Sequence, residues 1–296
     1  MFPEWLQITG IERAVNDAID WLVTSYGPAF EAMSDAILWL LIRVEDGLQV
    51  LPWWLVVAAV AVLAWHAARR LTLSAALAGS MVLIGALGYW DLAMQTLALM
   101  LTAMALSILI GLPTGIGLSR STLARRIAAP VLDAMQTLPP FVYLIPALLL
   151  FGLGKVPAII ATLIYATPPV IRLTDLGLRH VDKDVAEAAD AFGAGPVQKL
   201  WRVELPLALP SIMAGINQTT MMALSMVVLA SMIGARGLGE EILRGIQTLD
   251  VGRGLTAGVA IVALAIVLDR ITQAYGQRLE DMQTAADGSD AEGARL

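Results

Sequence analysis

Apolar residues in this chain fall into long runs, and the polar residues sit between the runs instead of alternating within them. Runs close to the ~20 residues needed to cross a ~30 Å hydrocarbon layer cover residues 50–67, 71–90, 94–118, 137–154, 157–175, 208–234 and 255–274. The pattern predicts an all-α fold, a polytopic transmembrane helical bundle of about seven spans. Two of the runs, 50–67 and 137–154, are short for a crossing, and the second carries Pro139, Pro140 and Pro146. Leu138-Pro139-Pro140 and Thr167-Pro168-Pro169 remove backbone donors, so helices are expected to bend or break there, beside protein or water.

Ahead of the first run the pattern changes. Residues 3–25 place Trp5, Ile8, Ile11, Val15, Ala18, Ile19 and Leu22 on one helical stripe with Arg13, Asn16 and Asp20 opposite, and residues 29–44 repeat the amphipathic pattern with an apolar centre, 36–42, too short to span. Residues 1–49 are therefore expected to form an extracytoplasmic, interfacial helix pair. It either lies on the outer leaflet or packs on the protein's own outer surface. Residues 50–276 form the transmembrane domain, and the polar end, 277–296, is expected to be a disordered cytoplasmic tail.

Composition agrees with a bilayer as solvent. Of 296 residues, 58% are hydrophobic and 15% charged, with a mean hydropathy of +0.74. Basic residues set the orientation. Arg69 and Arg70 follow the first span, Arg120, Arg125 and Arg126 the third, and Arg172, Arg179, Lys183, Lys199 and Arg202 the fifth. These loops then share the cytoplasmic side, with the N-terminus outside and the C-terminus inside. Arg236, Arg244 and Arg253, in the connection 235–254, run against the rule. Much of the net charge of -6 sits before residue 50, where acids outnumber bases. The start lacks the basic, apolar and small-residue order of a signal peptide. With no cysteine, disulfides and thiolate metal sites are excluded.

The most informative segment is hydrophilic. Between the fifth and sixth spans, residues 182–206 include Glu187-Ala188-Ala189, Gly193, Gly195-Pro196 and Leu205-Pro206. Asp184 can cap a short helix that the glycines end, and Pro196 suits the first turn of a second one. Ala188 and Ala189 leave a slim surface, and Gly193 permits a backbone angle closed to side chains. This spacing resembles the cytoplasmic loop of permease subunits of binding-protein-dependent ABC importers. The resemblance implies that Glu187, Ala188, Ala189, Gly193 and Pro206 engage a separate ABC ATPase subunit, and that a soluble substrate-binding protein delivers the solute. It also implies a bacterial cytoplasmic (inner) membrane location and a homodimeric pore. The chain has no Gly-x-x-x-x-Gly-Lys-Ser/Thr stretch, so ATP and Mg are expected on the partner and no cofactor on this chain.

A narrower resemblance covers most of the sequence. Leu132-Asp133-Ala134-Met135-Gln136-Thr137-Leu138-Pro139, Phe141 to Pro146, Met213 to Thr220, Ala223 to Val228 and Leu268-Asp269-Arg270-Ile271-Thr272 look like permeases for glycine betaine, proline betaine or choline. A trimethylammonium solute calls for weak contacts from aromatic faces, sulfur and neutral dipoles. Gln136, Thr137, Phe141 and Tyr143 on the fourth span, with Asn217, Gln218, Thr220 and Ser225 on the sixth, are the candidate pathway residues. Asn217 and Gln218 serve equally as helix-to-helix hydrogen bonds, and Met221, Met222 and Met226 as core filler. Another small solute, an amino acid or a sulfonate, is the alternative within the class. An ion-coupled secondary transporter calls for ionisable groups inside spans, whereas Asp91, Asp133, Asp175 and Asp269 are expected near span ends. Nothing points to an enzyme or to nucleic acid: His-Glu-x-x-His and Gly-x-Ser-x-Gly are both missing from the sequence.

Overall fold

The computed structural model describes residues 10–293, with side chains described from residue 13 to residue 278. No strand forms among the described residues. Four helical stretches are long and apolar enough to cross a membrane unaided: Trp90–Arg120, Lys155–Arg179, Pro196–Ile233 and Val251–Arg278. Two bent pairs and the short apolar Leu71–Ala86 account for the remaining expected spans, so each predicted apolar run has a helix in it.

In chain order, α1 (Ile11–Val50) turns by 104° into α2 (Trp53–Ala68), and α3 (Leu71–Ala86) returns alongside it. α4 (Trp90–Arg120) follows, then α5 (Thr122–Thr137) and α6 (Pro140–Phe151), which meet at 99° across Leu138-Pro139. α7 (Lys155–Ala166) and α8 (Pro168–Arg179) make one crossing interrupted at Thr167-Pro168. After α9 (Lys183–Ala191) and α10 (Pro196–Lys199) come α11 (Leu205–Ala230), α12 (Leu238–Thr248) and α13 (Val251–Gly293).

Loops expected on one side do meet. At the arginine-rich end, Arg120 on α4 donates to Glu204 just before α11, and Arg278 on α13 donates to the carbonyl of His66 on α2 at 2.6 Å. At the other end the Tyr89 hydroxyl lies 2.9 Å from Thr256 Oγ1, and the Gly154 amide donates to Ile233 O.

α8 sits at the centre, against α4 on one side and α11 on the other. Glycines set the approach. A Cβ on Gly111 would fall 2.4 Å from Val170 Cγ1, and one on Gly115 2.6 Å from Thr174 Cβ. Between α8 and α11 a Cβ on Gly177 would fall 2.7 Å from Ser211 Cβ. In lipid, where burying apolar surface gains little, such close backbone packing is a main source of helix association. The reading of Gly111 and Gly115 as helix packing holds; Gly254 and Gly258 have open space where their own side chains would be, but a Cβ on Gly245 of α12 would fall 2.8 Å from Gly254 N, so Gly254 also sits at a close helix contact.

One expectation is corrected at the N-terminal end. The predicted helix pair before residue 50 is a single helix of 40 residues with Pro28 inside it. Its second half is anchored: Leu41 is fully buried, Phe30 stacks edge-on against Phe151 at 5.5 Å, and Glu45 accepts from Lys155 Nζ at 2.6 Å. The Trp5 and Ile8 positions of the first stripe lie outside the described residues. At the other end α13 continues past residue 277 to Gly293. Its run of Leu, Glu, Met, Gln and Ala has high helix propensity and contains no proline. Residues 294–296 lie outside the described part.

Candidate functional site

The hydrophilic hairpin is a helix, a sharp turn and a second helix, as its punctuation predicts. The first cap is Asp182, whose side chain accepts from the Asp184 amide at 2.8 Å; Asp184 lies in the first turn, where a carboxylate favours the helix dipole. Gly193 has φ +78°, a conformation that costs a side-chain-bearing residue about 1–2 kcal/mol. A Cβ there would meet nothing within 4 Å, so the requirement is conformational and not one of space. Pro196 begins α10, and Lys199 Nζ closes the hairpin on Asp190 at 2.8 Å.

Glu187 and Ala188 are exposed and Ala189 half-buried. Their setting contains a feature absent from the sequence reading. Phe192 is 94% exposed, and Val197 and Trp201, at 70% and 66%, surround the same hairpin with apolar surface. Large apolar side chains held in the open on a polar loop mark a contact surface.

The hairpin is tied to the bundle. After α10 the chain makes a π-helical turn, Leu200–Glu204, and passes straight into α11; such turns occur often at functional positions. Within the turn Glu204 is buried and grips the Arg120 guanidinium through both carboxylate oxygens. Planar bidentate pairs of this type are both strong and orienting. The hairpin is therefore joined to α4 through Arg120 and to α11 through the continuous helix. Pro206 lies in the first turn of α11. Arg120 and Glu204 were not singled out from sequence; an acid immediately ahead of a long apolar run was the available sign.

The expected pathway residues divide into two groups. In the first, at the α5–α6 bend, Tyr143 is buried and its hydroxyl donates to Met135 O at 2.9 Å. It thereby satisfies a carbonyl left over where α5 ends, the repair a broken helix needs at membrane depth. The Tyr143 ring lies 6.2 Å from that of Tyr165. Thr137 Oγ1 donates back to Ala134 O at 3.3 Å, Gln136 is half-buried and Phe141 is exposed.

The second group faces α13. Asn217 Oδ1 accepts from Thr272 Oγ1 at 2.7 Å, which makes it the helix-to-helix bond weighed from sequence; Gln218 is exposed. Thr220 donates to Ile216 O at 2.8 Å and lies 3.1 Å from Met104 Sδ. Thr220 and Ser225, with Met100 and Met221, line a cavity of about 210 Å³ between α4, α11 and α13. Asp269 lines it too. α13 runs on beyond residue 274, and Asp269 lies toward the Arg278 end of the span Val251–Arg278, opposite α11. Met226 is fully buried, as core filler would be, whereas Met221 is exposed at the cavity rim.

Apolar crossings broken at prolines, a bundle closed by small residues and a hydrophilic hairpin rigidly joined to it define a multi-pass, all-helical membrane transport component. Residues 107–281 match the family of the binding-protein-dependent transport system inner membrane component, and the chain belongs to that family. It is 49% identical over 267 residues to the glycine betaine/proline betaine transport system permease protein ProW of Escherichia coli (strain K12), covering 90% of this chain and 75% of that one. It is 46% identical over 259 residues to the glycine betaine transport system permease protein OpuAB of Bacillus subtilis (strain 168), covering 88% of this chain and 92% of that one. Among solved structures, an inward-facing form of the MetNI methionine ABC transporter superposes with a TM-score of 0.53 over 62% of this chain and 91% of that chain. At 24% identity this likeness shows the fold alone. Membership makes the chain a component of a transport system and not an enzyme.

Proposed function

We propose that this chain is the membrane-spanning permease subunit of an ATP-driven importer for quaternary ammonium compounds, namely glycine betaine, proline betaine or choline. The observation that carries the substrate class is the identity of 49% and 46%, over 90% and 88% of the chain, with permeases named for glycine betaine. The hairpin of α9 and α10 is the contact with a separate ATPase, with Glu187, Ala188, Ala189 and Gly193 presented beside the apolar Phe192, Val197 and Trp201. Closure of the ATPases pulls the hairpin, and the Arg120–Glu204 grip together with the unbroken passage through Pro206 into α11 passes that pull to the bundle. A soluble binding protein selects the solute on the far side. Two copies of the permease form the pore, because the chain has one hairpin and the engine works as a pair. The arginine-rich ends of α2, α4 and α8 face the cytoplasm, which leaves the N-terminus outside and the C-terminus inside.

The test is co-purification of the permease with a candidate ATPase and binding protein, reconstitution in vesicles, and measurement of ATP-dependent solute uptake. Accumulation of glycine betaine that requires ATP and the binding protein is expected. Uptake that persists without the ATPase, or that is confined to an amino acid or a sulfonate, would overturn the reading.

A further inference from the structure

We propose that the cavity between α4, α11 and α13 is a subsite for the cationic head of the transported solute, with Asp269 as its counter-charge. The inference rests on the proposed function for its substrate class, but the cavity and its carboxylate stand on geometry. Asp269 lies 18 residues past Val251, about 27 Å along the helix at 1.5 Å per residue, and about 14 Å short of Arg278. The first length is close to the ~30 Å thickness of a hydrocarbon core, so the carboxylate stands toward the Arg278 end of the crossing, with its side chain 19% exposed and on the cavity wall.

Its partners leave a further role open. Oδ1 accepts from Gln273 Nε2 at 2.9 Å, one turn on along the same helix. Oδ2 has Arg270 Nε only at 4.0 Å, from a side chain that is 55% exposed. One oxygen is therefore held and oriented while the other lacks a close donor, on a residue that lines a cavity of about 210 Å³. Across from it stand the thioethers of Met100 and Met221 and the hydroxyls of Thr220 and Ser225. Both hydroxyls donate backwards, Thr220 to Ile216 O and Ser225 to Met221 O, so they present lone pairs and not protons to an occupant. The wall thus combines a carboxylate, sulfur and oxygen lone pairs with the aliphatic side chains of Leu224, Ala265, Ile266 and Leu268. It suits a diffuse, methylated cation, which offers no hydrogen-bond donor and is attracted to polarizable and negative surfaces. At about 210 Å³ the cavity is smaller than pockets that enclose drug-sized ligands, and it has room for a compact cationic head. Arg270 beside Asp269 dilutes the negative field, so the cation is held loosely enough to leave, as a conduit requires.

The chain has no cysteine, which allows a direct test. Ser225→Cys places one thiol on the cavity wall. In the reconstituted permease–ATPase complex, its reaction with a methanethiosulfonate bearing a trimethylammonium group is compared with that of an uncharged analogue. The ratio of cationic to neutral rate is expected to fall about tenfold when Asp269→Asn is added, as loss of a nearby charge in a site of low dielectric requires. An unchanged ratio, with the neutral rate preserved to show an intact cavity, would overturn the subsite. A second measurement needs no change at Asp269: choline should slow labelling of Ser225→Cys by the neutral reagent, and its uncharged isostere 3,3-dimethylbutan-1-ol should not. Equal protection by both, or by neither, counts against the proposal. If wild-type vesicles fail to take up any trimethylammonium solute while the charge-dependent ratio holds, it is the importer reading that fails and the cation subsite that stands.

Discussion

α11 has two unlike neighbours. Toward α8 the backbones nearly touch: a Cβ on Gly215 would lie 3.1 Å from Val170 Cα, and the seam between α4 and α8 is tighter still at Gly111 and Gly115. Toward α13 the same helix stands off far enough to leave a cavity of about 210 Å³ walled by methionines, hydroxyls and a carboxylate. Glycine contacts have no side-chain rotamers to adjust, so the α4–α8–α11 seam is stiff and moves as a unit. The α11–α13 face, filled by flexible thioethers and joined by side-chain hydrogen bonds, can repack. In the proposed importer the seam transmits and the cavity face gives way.

The largest effect should come from filling the seam. Gly115→Leu has to displace the Ile171 carbonyl, which lies 2.7 Å from the position of its Cβ, as well as Thr174. Overpacking against backbone costs about 3 kcal/mol or more when nothing can move aside. Loss of a monodisperse peak on size exclusion in mild detergent is the expected outcome. Ala265→Leu, on the cavity wall, adds comparable volume where there is space. It should leave the peak intact and lower uptake instead. If both variants fold equally well, the contrast in stiffness is wrong.

Next in size is an effect on uptake that spares the fold. Gly193→Asp has room, and aspartate is among the residues that best tolerate the left-handed conformation, so insertion and thermal stability should stay near wild type. A new charge beside Phe192 should abolish ATP-dependent uptake and weaken retention of the ATPase on affinity purification. Full uptake would remove the hairpin from the coupling role and leave the stiff seam with nothing to transmit.

The sequence shows these regions with unequal clarity. Long apolar runs fix helices in lipid almost by necessity, because an unpaired backbone group is prohibitive there, and each run contains one. The hairpin is legible because its punctuation is local: glycines, a proline and an acidic cap act within a few residues of themselves, although the cap proved to be Asp182 and not Asp184. Pairings across the chain are not local. Nothing near Glu204 tells that Arg120, 84 positions earlier, will grip it. The position of Asp269 toward the end of the last apolar run is legible from sequence, but its place on a cavity wall is not. The run Leu268-Asp269-Arg270-Ile271-Thr272 drew attention from sequence, but its meaning depends on Thr220 and Asn217 opposite. In the N-terminal region the amphipathic pattern was legible, but the break placed near residues 26–28 was not a break, since Pro28 is carried within a continuous helix.

The smallest effect tests how softly the yielding face is held. Asn217 and Thr272 are bonded at 2.7 Å, yet Thr272 Oγ1 also donates within α13 to Leu268 O at 2.9 Å and Asp269 O at 3.0 Å. These are alternative acceptors for one proton, so the Thr272 hydroxyl can turn inward when α11 moves away and only Asn217 Oδ1 gives up its partner. A double-mutant cycle with Asn217→Ala and Thr272→Val, read by thermal unfolding in detergent, should give a coupling energy near the ~0.6 kcal/mol average for interhelical hydrogen bonds in membranes. The double variant should still transport. A coupling of about 2 kcal/mol or more, beyond the usual maximum for such bonds, would mean that α11 and α13 are locked together. The movable partner of the stiff seam would then have to be sought at the α5–α6 bend, where Tyr143 spans the break.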